Sequence, residues 1–297
     1  MKFMNFEHPD TGTERIGLVT SDRVADLSAA AEGGVLTIDA GTTLSGLIAR
    51  EGALGQLESA IGALDGAALE PYTRGVDSVR ALAPVPRPEK VIGIGLNYHD
   101  HAEEVGMGKP SEPFLFAMWA NTIVGPGDDI IVPRMSDKID YEAELAVVVG
   151  KTGRHIPEDR ALDYIAGYTI VNDVSARDLQ MKDNQWIRGK SFDTALPMGP
   201  VLVTTRALGD GDGLDIALRI NGTTMQSSNT NNLIFKVPTL LAYISEGLTL
   251  RPGDIIATGT PGGVGFKRKP PVYLKAGDTV DVELEGIGIL SNPVSAE

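Results

Sequence analysis

Two glutamates stand two positions apart on a mostly apolar stretch, IDYEAELAVVVG at residues 139–150. Side chains of a β-strand alternate between its two faces, so Glu142 and Glu144 would share one face while Ala143 and Leu145 occupy the other. Two carboxylates on one face repel each other, and burying an unpaired carboxylate is costly. The pattern therefore predicts a compensating positive group, unless this face of the strand is exposed to solvent.

A third acid follows at the end of the next apolar run. Asp173 closes that run in GYTIVNDVSARD, where a strand would open into a loop. Together with Glu142 and Glu144 it could form an all-oxygen cluster, the ligand set that Mg²⁺, Mn²⁺ and Ca²⁺ prefer. Such a cation would offset the repulsion between the glutamates. These residues alone leave open a solvated strand face with Asp173 capping a turn.

A histidine and a glutamate form a second candidate pair in GIGLNYHDHAEEVG at residues 93–106. If HAEEVG begins a helix, His101 and Glu104 lie three positions apart on one face. A carboxylate placed there can orient the imidazole and raise its basicity, as a general base for water requires. The alternative is a helix start capped by Asp100 with surface acids. The stretch lacks the third glycine of the dinucleotide-binding fingerprint, so we exclude a Rossmann site.

Polar donors gather in three further segments. Arg177, Gln180 and Lys190, within SARDLQ and GKSFDT, could receive a carboxylate or a developing enolate oxygen, although alone they favour an ordinary surface. The loop ATGTPGGVG at residues 257–265 offers unhindered backbone N–H groups and the Thr260 hydroxyl. It lacks the GK[ST] of a phosphate-binding loop, and a simple tight turn explains it equally well.

Composition limits the class of partner. The chain has 297 residues and a formal net charge of −14, which argues against nucleic acid and anionic membranes because phosphate binding needs clustered Lys and Arg. We therefore expect a small-molecule partner. No cysteine is present, so any metal must be held by oxygen or histidine. The N-terminus lacks an apolar signal region and no apolar run would span a bilayer, which predicts a cytoplasmic protein.

Short β-branched runs dominate the chain beyond about residue 90, and few helices are convincing. The best helices are HAEEVG and PTLLAYISEG, the second with Pro238 at a plausible first position, and the Ala-rich stretch 44–64 suits one or two more. Without regular β–α alternation, this favours an α+β fold that is mainly β, a rolled or sandwiched sheet.

The proline-rich connector ALAPVPRPEK predicts a domain boundary, since alternating prolines suit neither a helix interior nor a central strand. We place a small N-terminal α+β domain at residues 1–80 and a catalytic domain at residues 88–297.

Taken in order, the blocks NYHDHAEE, DYEAELAVVVGK, GYTIVNDVSARDLQ, RGKSFDTALPMGP and TLRPGDIIATGTPGGVGF resemble the fumarylacetoacetate hydrolase family. The resemblance covers roughly residues 90–293. It implies a catalytic domain of mixed β-roll type, usually a homodimer, preceded by a small variable N-terminal domain. It also implies Mg²⁺ or Mn²⁺ on Glu142, Glu144 and Asp173.

The resemblance further assigns roles to the polar residues outside the acidic cluster. His101 and Glu104 would be the water-activating pair, and Arg177, Gln180 and Lys190 would stabilise oxyanion and carboxylate. We also expect substrate contacts from Thr260, Gly259 and Tyr98.

One departure from the family pattern concerns the substrate. Many members carry a lysine at about the place where this chain has Met118 and Trp119. Loss of that cation predicts a less charged or bulkier substrate tail.

These expectations together predict a divalent-metal-dependent enzyme that hydrolyses a C–C bond of a β-diketone 2-oxo acid, such as an acylpyruvate or a 2,4-diketo acid. Water activated by His101 and Glu104 would attack the distal carbonyl. The nearest alternatives are decarboxylation of a β-keto acid such as oxaloacetate and isomerisation of an unsaturated oxo-diacid, through the same metal-enolate chemistry. A catalytically silent binding protein that keeps the fold and the metal is a further alternative.

Overall fold

A computed structural model describes residues 1–39, 41–183 and 185–297. In chain order the strands are β1 (Lys2–Glu7), β2 (Glu14–Thr20), β3 (Arg23–Asp26), β4 (Thr73–Gly75), β5 (Arg80–Leu82), β6 (Val91–Gly95), β7 (Phe114–Met118), β8 (Ile123–Val124), β9 (Ile130–Val132), β10 (Ile139–Asp140), β11 (Ala143–Val149), β12 (Ile165–Asn172), β13 (Ser175–Ala176), β14 (Leu196–Thr204), β15 (Asp215–Ile220), β16 (Thr223–Asn229), β17 (Ile255–Ala257), β18 (Thr279–Leu284) and β19 (Gly288–Ala296).

The helices are fewer and shorter. The α-helices are α1 (Leu27–Glu32), α2 (Leu44–Ala49), α3 (Ala53–Gly62), α4 (His99–Val105), α5 (Arg177–Lys182), α6 (Ile187–Lys190), α7 (Thr205–Leu208) and α8 (Val237–Gly247). The 3₁₀ helices are Glu70–Tyr72, Val76–Ser78, Ala120–Thr122, Glu158–Tyr164, Thr230–Asn232 and Gly265–Lys267. Among the described residues, no helix combines the length and apolarity needed to cross a lipid bilayer.

Two large sheets pack on a common core, and strands β10 and β13 form a separate two-stranded sheet. The larger runs β4-β3-β2-β1-β14-β12-β11-β17-β6-β7, with β5 beside β1 and β8 beside β14, and the smaller runs β16-β15-β18-β19-β9. Ile216 and Val282 of the smaller sheet share a buried apolar cluster with Leu145 of the larger one. The predicted α+β, mainly β fold with a sandwiched sheet is confirmed.

Strand β11 lies in the interior of the larger sheet and is buried along its whole length. Leu145 and Val147 pack into the cluster between the two sheets, whereas Ala146 and Val148 pack into the cluster on the opposite face. Apolar side chains on both faces explain why its sequence reads as a continuous β-branched run rather than an alternating one.

The N-terminal strands extend the larger sheet. Strand β1 pairs antiparallel with β14, Phe3 opposite Leu202, and Leu44 and Leu47 of α2 pack into the cluster that contains Val148. The sheet thus crosses the predicted boundary near residues 80–88, and the division into two domains remains a prediction.

The pairing of strands brings four chain segments to one end of the sheet. Because β11 and β12 are antiparallel, with Ala143 opposite Asn172, the start of β11 lies beside the end of β12. Strand β17 is antiparallel to β11, and β6 is parallel to β17, so both end at that same edge. Residues that follow β6, β12 and β17 therefore meet those that open β11.

The two best helix predictions are confirmed as α4 and α8, and the Ala-rich stretch forms α2 and α3. Helix α8 begins one residue earlier than expected, so Pro238 is its second residue, where a missing N–H is equally harmless. Helices α5 and α6 were not predicted, because RDLQMK and IRGK contain only two and one large apolar residues, too few for an apolar period to emerge.

Candidate active site

Three carboxylates cluster in the interior at this end of the sheet. Glu142, Glu144 and Asp173 are 5%, 2% and 0% exposed. One carboxylate oxygen from each lies within 4.8 Å of the other two. The alternative of a solvated strand face is therefore wrong.

Backbone hydrogen bonds fix this cluster to the sheet. The Glu142 N–H donates to Asn172 Oδ1 at 2.9 Å, and the Asp173 N–H donates to the Glu142 carbonyl at 2.9 Å. Glu142 itself immediately precedes β11, and the first strand residue, Ala143, donates its N–H to Gln226 Oε1 at 2.9 Å. The polar side chains Asn172 and Gln226 thus replace ladder partners where the strands end.

Two buried cations contact the cluster. Lys190 Nζ lies 2.6 Å from Glu142 Oε2 and 2.7 Å from Asp173 Oδ2. Arg177 donates from Nη2 to Glu142 Oε1 at 2.5 Å and from Nε to Asp140 Oδ2 at 2.8 Å. Burial alone would raise the pKa of Glu142, but the charges of Arg177 and Lys190 outweigh it and hold this pKa at about 2.

The two cations do not neutralise the whole cluster. Burial, together with the charges of Asp173 and Glu142, raises the pKa of Glu144 well above its ordinary value. Burial and the charge of Glu142 raise the pKa of Asp173 to about 6, even though Lys190 opposes the shift. If all four carboxylates, including Asp140, are ionised, two negative charges remain without a buried counter-charge.

The residues present fit a divalent cation. Asp173 Oδ1 is buried and has no hydrogen-bond partner in the part of the chain that the structure describes. A buried carboxylate oxygen without a partner is costly, and an excess of two negative charges matches one divalent ion. Glu142, Glu144 and Asp173 could hold this ion, with Oδ1 as the free oxygen of Asp173.

The predicted histidine–glutamate pair lies on helix α4. His101 is 7% exposed, and its Nδ1 is 3.4 Å from Glu104 Oε2. The Gly263 N–H donates to the same carboxylate at 3.1 Å. Burial raises the pKa of Glu104, but the hydrogen bonds from His101 and from the Gly263 backbone outweigh it, so this pKa is lowered and Glu104 is ionised beside the imidazole.

Helix α4 is tied to the neighbouring loop. Asp100 accepts hydrogen bonds from the Gly262 N–H at 3.2 Å and from the Ser228 hydroxyl at 2.5 Å. Asn97, just before the helix, donates its amide to the Thr258 carbonyl at 2.8 Å. The helix ends at Gly106, whose φ of +74° suits glycine. These contacts fix the position of His101 relative to the carboxylates.

A cavity of about 190 Å³ opens onto this group. It is lined by the predicted residues His101, Glu142, Glu144, Arg177, Gln180 and Lys190, and by Thr260. Asp173 lies outside this lining, and its contact with Lys190 connects it to the cavity wall. The structure therefore brings two of the predicted metal ligands, the predicted base and the predicted donors together at one cavity, and Asp173 and Glu104 contact residues of its wall.

The three predicted substrate contacts are placed differently. Thr260 lines the cavity, and its Oγ1 accepts from Gln226 Nε2 at 2.8 Å, which leaves its own hydrogen free to donate. Gly259 donates its N–H to Glu144 Oε2 at 2.8 Å and so holds a carboxylate rather than facing the cavity. Tyr98 is fully buried and lies outside the cavity lining, so its contact with substrate stays a prediction.

The segment in which the family often has a lysine also differs from expectation. Met118 is buried in the apolar core, and Trp119 is 58% exposed. Both lie outside the cavity lining, whereas Phe116, two residues earlier on β7, lines it together with Trp186. Residues 118 and 119 therefore do not shape the pocket directly.

Two charged residues of the candidate site were missed in the sequence. Asp140 is fully buried and accepts from Arg177 Nε, from the Gly265 N–H at 2.7 Å and from the Phe266 N–H at 3.1 Å. A signal was available, because position 140 shares the period of two that singles out positions 142 and 144. The other is Lys267, a cavity-lining cation that no local pattern marks.

Comparison with known proteins gives a consistent result. The family description "Fumarylacetoacetate (FAA) hydrolase C-terminal" matches residues 90–295. The Xenopus laevis protein named oxaloacetate tautomerase fahd2, mitochondrial, is 44% identical over 298 residues, covering 99% of this chain and 90% of that protein. A cytoplasmic location for this chain remains a prediction.

Solved structures are similar over the whole chain. A fumarylacetoacetate hydrolase from Exiguobacterium antarcticum is 39% identical, with a TM-score of 0.85 and 100% of both chains covered. A maleylpyruvate hydrolase from Sphingobium sp. SYK-6, solved in complex with manganese(II) ion and pyruvate, is 29% identical, with a TM-score of 0.78, covering 100% of this chain and 99% of that chain. With the match over residues 90–295, these similarities show that the chain belongs to the fumarylacetoacetate hydrolase family.

Proposed function

We propose that this protein is a divalent-metal-dependent enzyme that forms the enolate of a 2-oxo acid, and that its reaction is the keto–enol tautomerisation of an oxaloacetate-type acid. The observation that carries the proposal is the buried carboxylate cluster, with its excess negative charge and the partnerless Asp173 Oδ1, beside a cavity that also presents His101. The name of the frog relative and the manganese and pyruvate of the Sphingobium structure support the choice of reaction and of ligand.

Glu142, Glu144 and Asp173 would hold Mg²⁺ or Mn²⁺. When bound, the ion would act as a Lewis acid that polarises the 2-oxo carbonyl and offsets the negative charge of the enolate. Arg177 and Lys190 keep Glu142 ionised at neutral pH, so this ligand needs no deprotonation before the ion binds.

Proton transfer would fall to His101. It would take a proton from carbon 3 of the substrate and return it to the carbonyl oxygen, which completes the tautomerisation without net gain or loss of atoms. Glu104, ionised and held by the Gly263 N–H, would orient the imidazole and stabilise its protonated form.

Polar donors would position the substrate oxygens. Gln180 Oε1 accepts from Arg177 Nη1 at 2.9 Å, so the amide nitrogen of Gln180 is the end that can donate to a ligand. The Thr260 hydroxyl and the Lys190 ammonium line the same cavity. These three groups would bind the carboxylate and the enolate oxygen.

A second candidate is hydrolysis of the C–C bond in an acylpyruvate or 2,4-diketo acid. The pairing of His101 with Glu104 favours it, because activating water needs an oriented base. Hydroxide from water would add to the distal carbonyl, the bond between carbons 3 and 4 would break, and the leaving enolate would take the proton from His101. The two solved structures compared above are named as hydrolases, which supports this candidate.

A substrate panel separates these reactions. Oxaloacetate enol, an acylpyruvate and a 2,4-diketo acid would be offered with Mg²⁺ or Mn²⁺ and again after chelation, following loss of enol absorbance, acid release and CO₂. We expect metal-dependent tautomerisation of oxaloacetate. Cleavage of the acylpyruvate at a higher kcat/KM would favour the second candidate, and CO₂ release would indicate decarboxylation.

We also propose that the protein is a homodimer, as the family resemblance implies. Sedimentation equilibrium would test this directly, and a monomer at micromolar concentration would contradict it.

A further inference from the structure

Lys267 differs from the other cations of the cavity wall in having no acidic partner. Arg177 and Lys190, which line the same cavity, are each paired with two carboxylates. Lys267 Nζ donates to the carbonyl of Val105 at 3.4 Å, and no acid lies within ion-pair distance of it in residues 1–39, 41–183 and 185–297. Its charge is therefore available to an anionic ligand.

The backbone beneath Lys267 is fixed. It ends the 3₁₀ helix Gly265–Lys267, whose first two N–H groups both donate to Asp140. A Cβ on Gly265 would lie 1.9 Å from the Val272 carbonyl oxygen, so only glycine fits at this close approach. Since Asp140 also pairs with Arg177, the turn that carries Lys267 is anchored to the carboxylate cluster itself.

The cavity that Lys267 lines also has aromatic walls. Phe266 stacks on the Arg177 guanidinium at 4.4 Å, and Phe116 and Trp186 contact each other at a ring-centroid distance of 5.4 Å. All three rings line the cavity. A carbon chain would pack against this wall, and a carboxylate placed there would find its counter-charge at Lys267.

We propose that Lys267 binds a second, terminal carboxylate of the substrate, so that the cavity selects 2-oxo diacids over 2-oxo monoacids. This rests on the proposed function, because it takes the first carboxylate and the 2-oxo group to lie at the metal-binding end of the cavity. It replaces the expectation of a less charged tail drawn from Met118 and Trp119. The cation that binds the distal end of the substrate is Lys267, which lies on another segment of the chain.

Matched acids test the proposal without relying on turnover. Isothermal titration calorimetry with Mg²⁺ would compare 2-oxoglutarate with 2-oxopentanoate, and 2-oxoadipate with 2-oxohexanoate, which differ only in the terminal carboxylate. We expect the wild-type protein to bind at least one diacid about tenfold or more tightly than its monoacid, the size of one charge-assisted hydrogen bond.

Three variants test whether Lys267 causes the preference for diacids. Lys267→Gln keeps a donor for the Val105 carbonyl but removes the charge, and it should reduce the preference to near unity while leaving monoacid affinity unchanged. Lys267→Arg should retain the preference. Lys182→Met, which removes an exposed lysine outside the cavity lining, should match the wild-type protein.

The outcomes separate the two proposals. Equal binding of diacid and monoacid by the wild-type protein, or a preference that survives Lys267→Gln, would overturn the role of Lys267 and leave the proposed function standing. Failure of every one of these acids to bind in the presence of Mg²⁺ would overturn the 2-oxo acid site and the Lys267 proposal with it.

Discussion

At the scale of single residues, Glu144 carries the electrostatic cost of the site. It is buried, its pKa is raised by burial and by Asp173 and Glu142, and its Oε2 accepts one backbone N–H from Gly259. A carboxylate in this position is tolerated most easily when a proton or a cation lies beside it.

Glu144→Gln should therefore have opposite effects on stability and on metal binding. The amide oxygen can still accept from Gly259, and the charge is gone. We expect the chelated variant to unfold at a Tm equal to or above that of the chelated wild-type protein, while its Mn²⁺ affinity falls about 100-fold or more. Thermal unfolding and Mn²⁺ titration measure the two effects, and a lower Tm with unchanged affinity would contradict this assignment.

His101 should be essential for turnover but not for the metal. We expect His101→Asn to lower kcat about 10²-fold or more, the usual contribution of a general base, with Mn²⁺ affinity within a factor of about two. The matched control is His99→Asn, an exposed histidine on the same helix, which should keep wild-type kcat. If decarboxylation rather than tautomerisation is the reaction, kcat of the His101 variant should be retained.

Site residues that lie close together in the sequence could be predicted from it. Glu142 and Glu144 are two positions apart, which predicted that they act together. His101 and Glu104 are three positions apart, which predicted that they form a pair. Asp140 was missed although it shares this spacing of two, and its pairing with Arg177, 37 positions away, shows only in the folded chain. Lys267 has no local signal, because only the folded chain brings it to the cavity.

At the scale of elements, the position of helix α4 determines whether His101 lies at the same cavity as Glu142 and Glu144. Asp100 holds this helix to the 259–263 loop and to β16 through the Gly262 N–H and the Ser228 hydroxyl. Both contacts belong to one carboxylate, so a single substitution can release the helix without touching the cavity lining.

Asp100→Ala should loosen α4 and lower kcat while leaving Mn²⁺ affinity unchanged. Losing hydrogen bonds to a charged acceptor should also cost about 1–3 kcal/mol in the free energy of unfolding. Urea unfolding and hydrogen exchange across α4 would measure these effects. Glu103→Ala, an exposed acid on the same helix, is the control and should change neither. Unaltered exchange in α4 of the Asp100 variant would show that other contacts hold the helix.

Elements with several regularly spaced apolar residues were predictable, and elements with few apolar residues were not. Strand β11 and helix α8 carry enough apolar residues for their period to show, so both were predicted. Helices α5 and α6 have too few apolar residues for that, although they supply Arg177, Gln180 and Lys190 to the site. Their shape is imposed by the ion pairs and by packing around them rather than by local propensity.

At the scale of the whole molecule, the carboxylate cluster links stability to pH and to metal. Folding raises the pKa of Asp173 to about 6 and that of Glu144 well above its ordinary value. The folded chain therefore binds more protons than the unfolded chain in this range, and this contribution to the free energy of unfolding falls as pH rises. Glu142 and Glu104, with lowered pKa values, lose their contribution only in more acidic solution.

We accordingly expect Mn²⁺ to raise Tm more at about pH 7.5 than at about pH 5, because protons compete with the ion for Asp173 and Glu144. Differential scanning fluorimetry with and without Mn²⁺ at both pH values measures this difference. In the Glu144→Gln variant, the Mn²⁺-induced rise in Tm should differ less between the two pH values. An equal Mn²⁺-induced shift at the two pH values would argue that the ion binds elsewhere.

The pairing of distant strands explains why the assembled site exceeds what the sequence could predict. The sheet order places β17 between β11 and β6, which brings the 257–265 loop beside Glu144 and helix α4. The residue types were visible in the chain, whereas their adjacency depends on strand order, which is not encoded in any single segment.

The most direct test of metal-dependent enolisation at the carboxylate cluster is a titration of activity. Chelator-treated protein would receive Mn²⁺ in steps while the tautomerisation of oxaloacetate enol is followed by absorbance. The proposed mechanism predicts negligible activity without metal, a linear recovery that ends at about one ion per chain, and no recovery in Glu144→Gln. Full activity in the chelated wild-type protein, or full recovery in the variant, would contradict it.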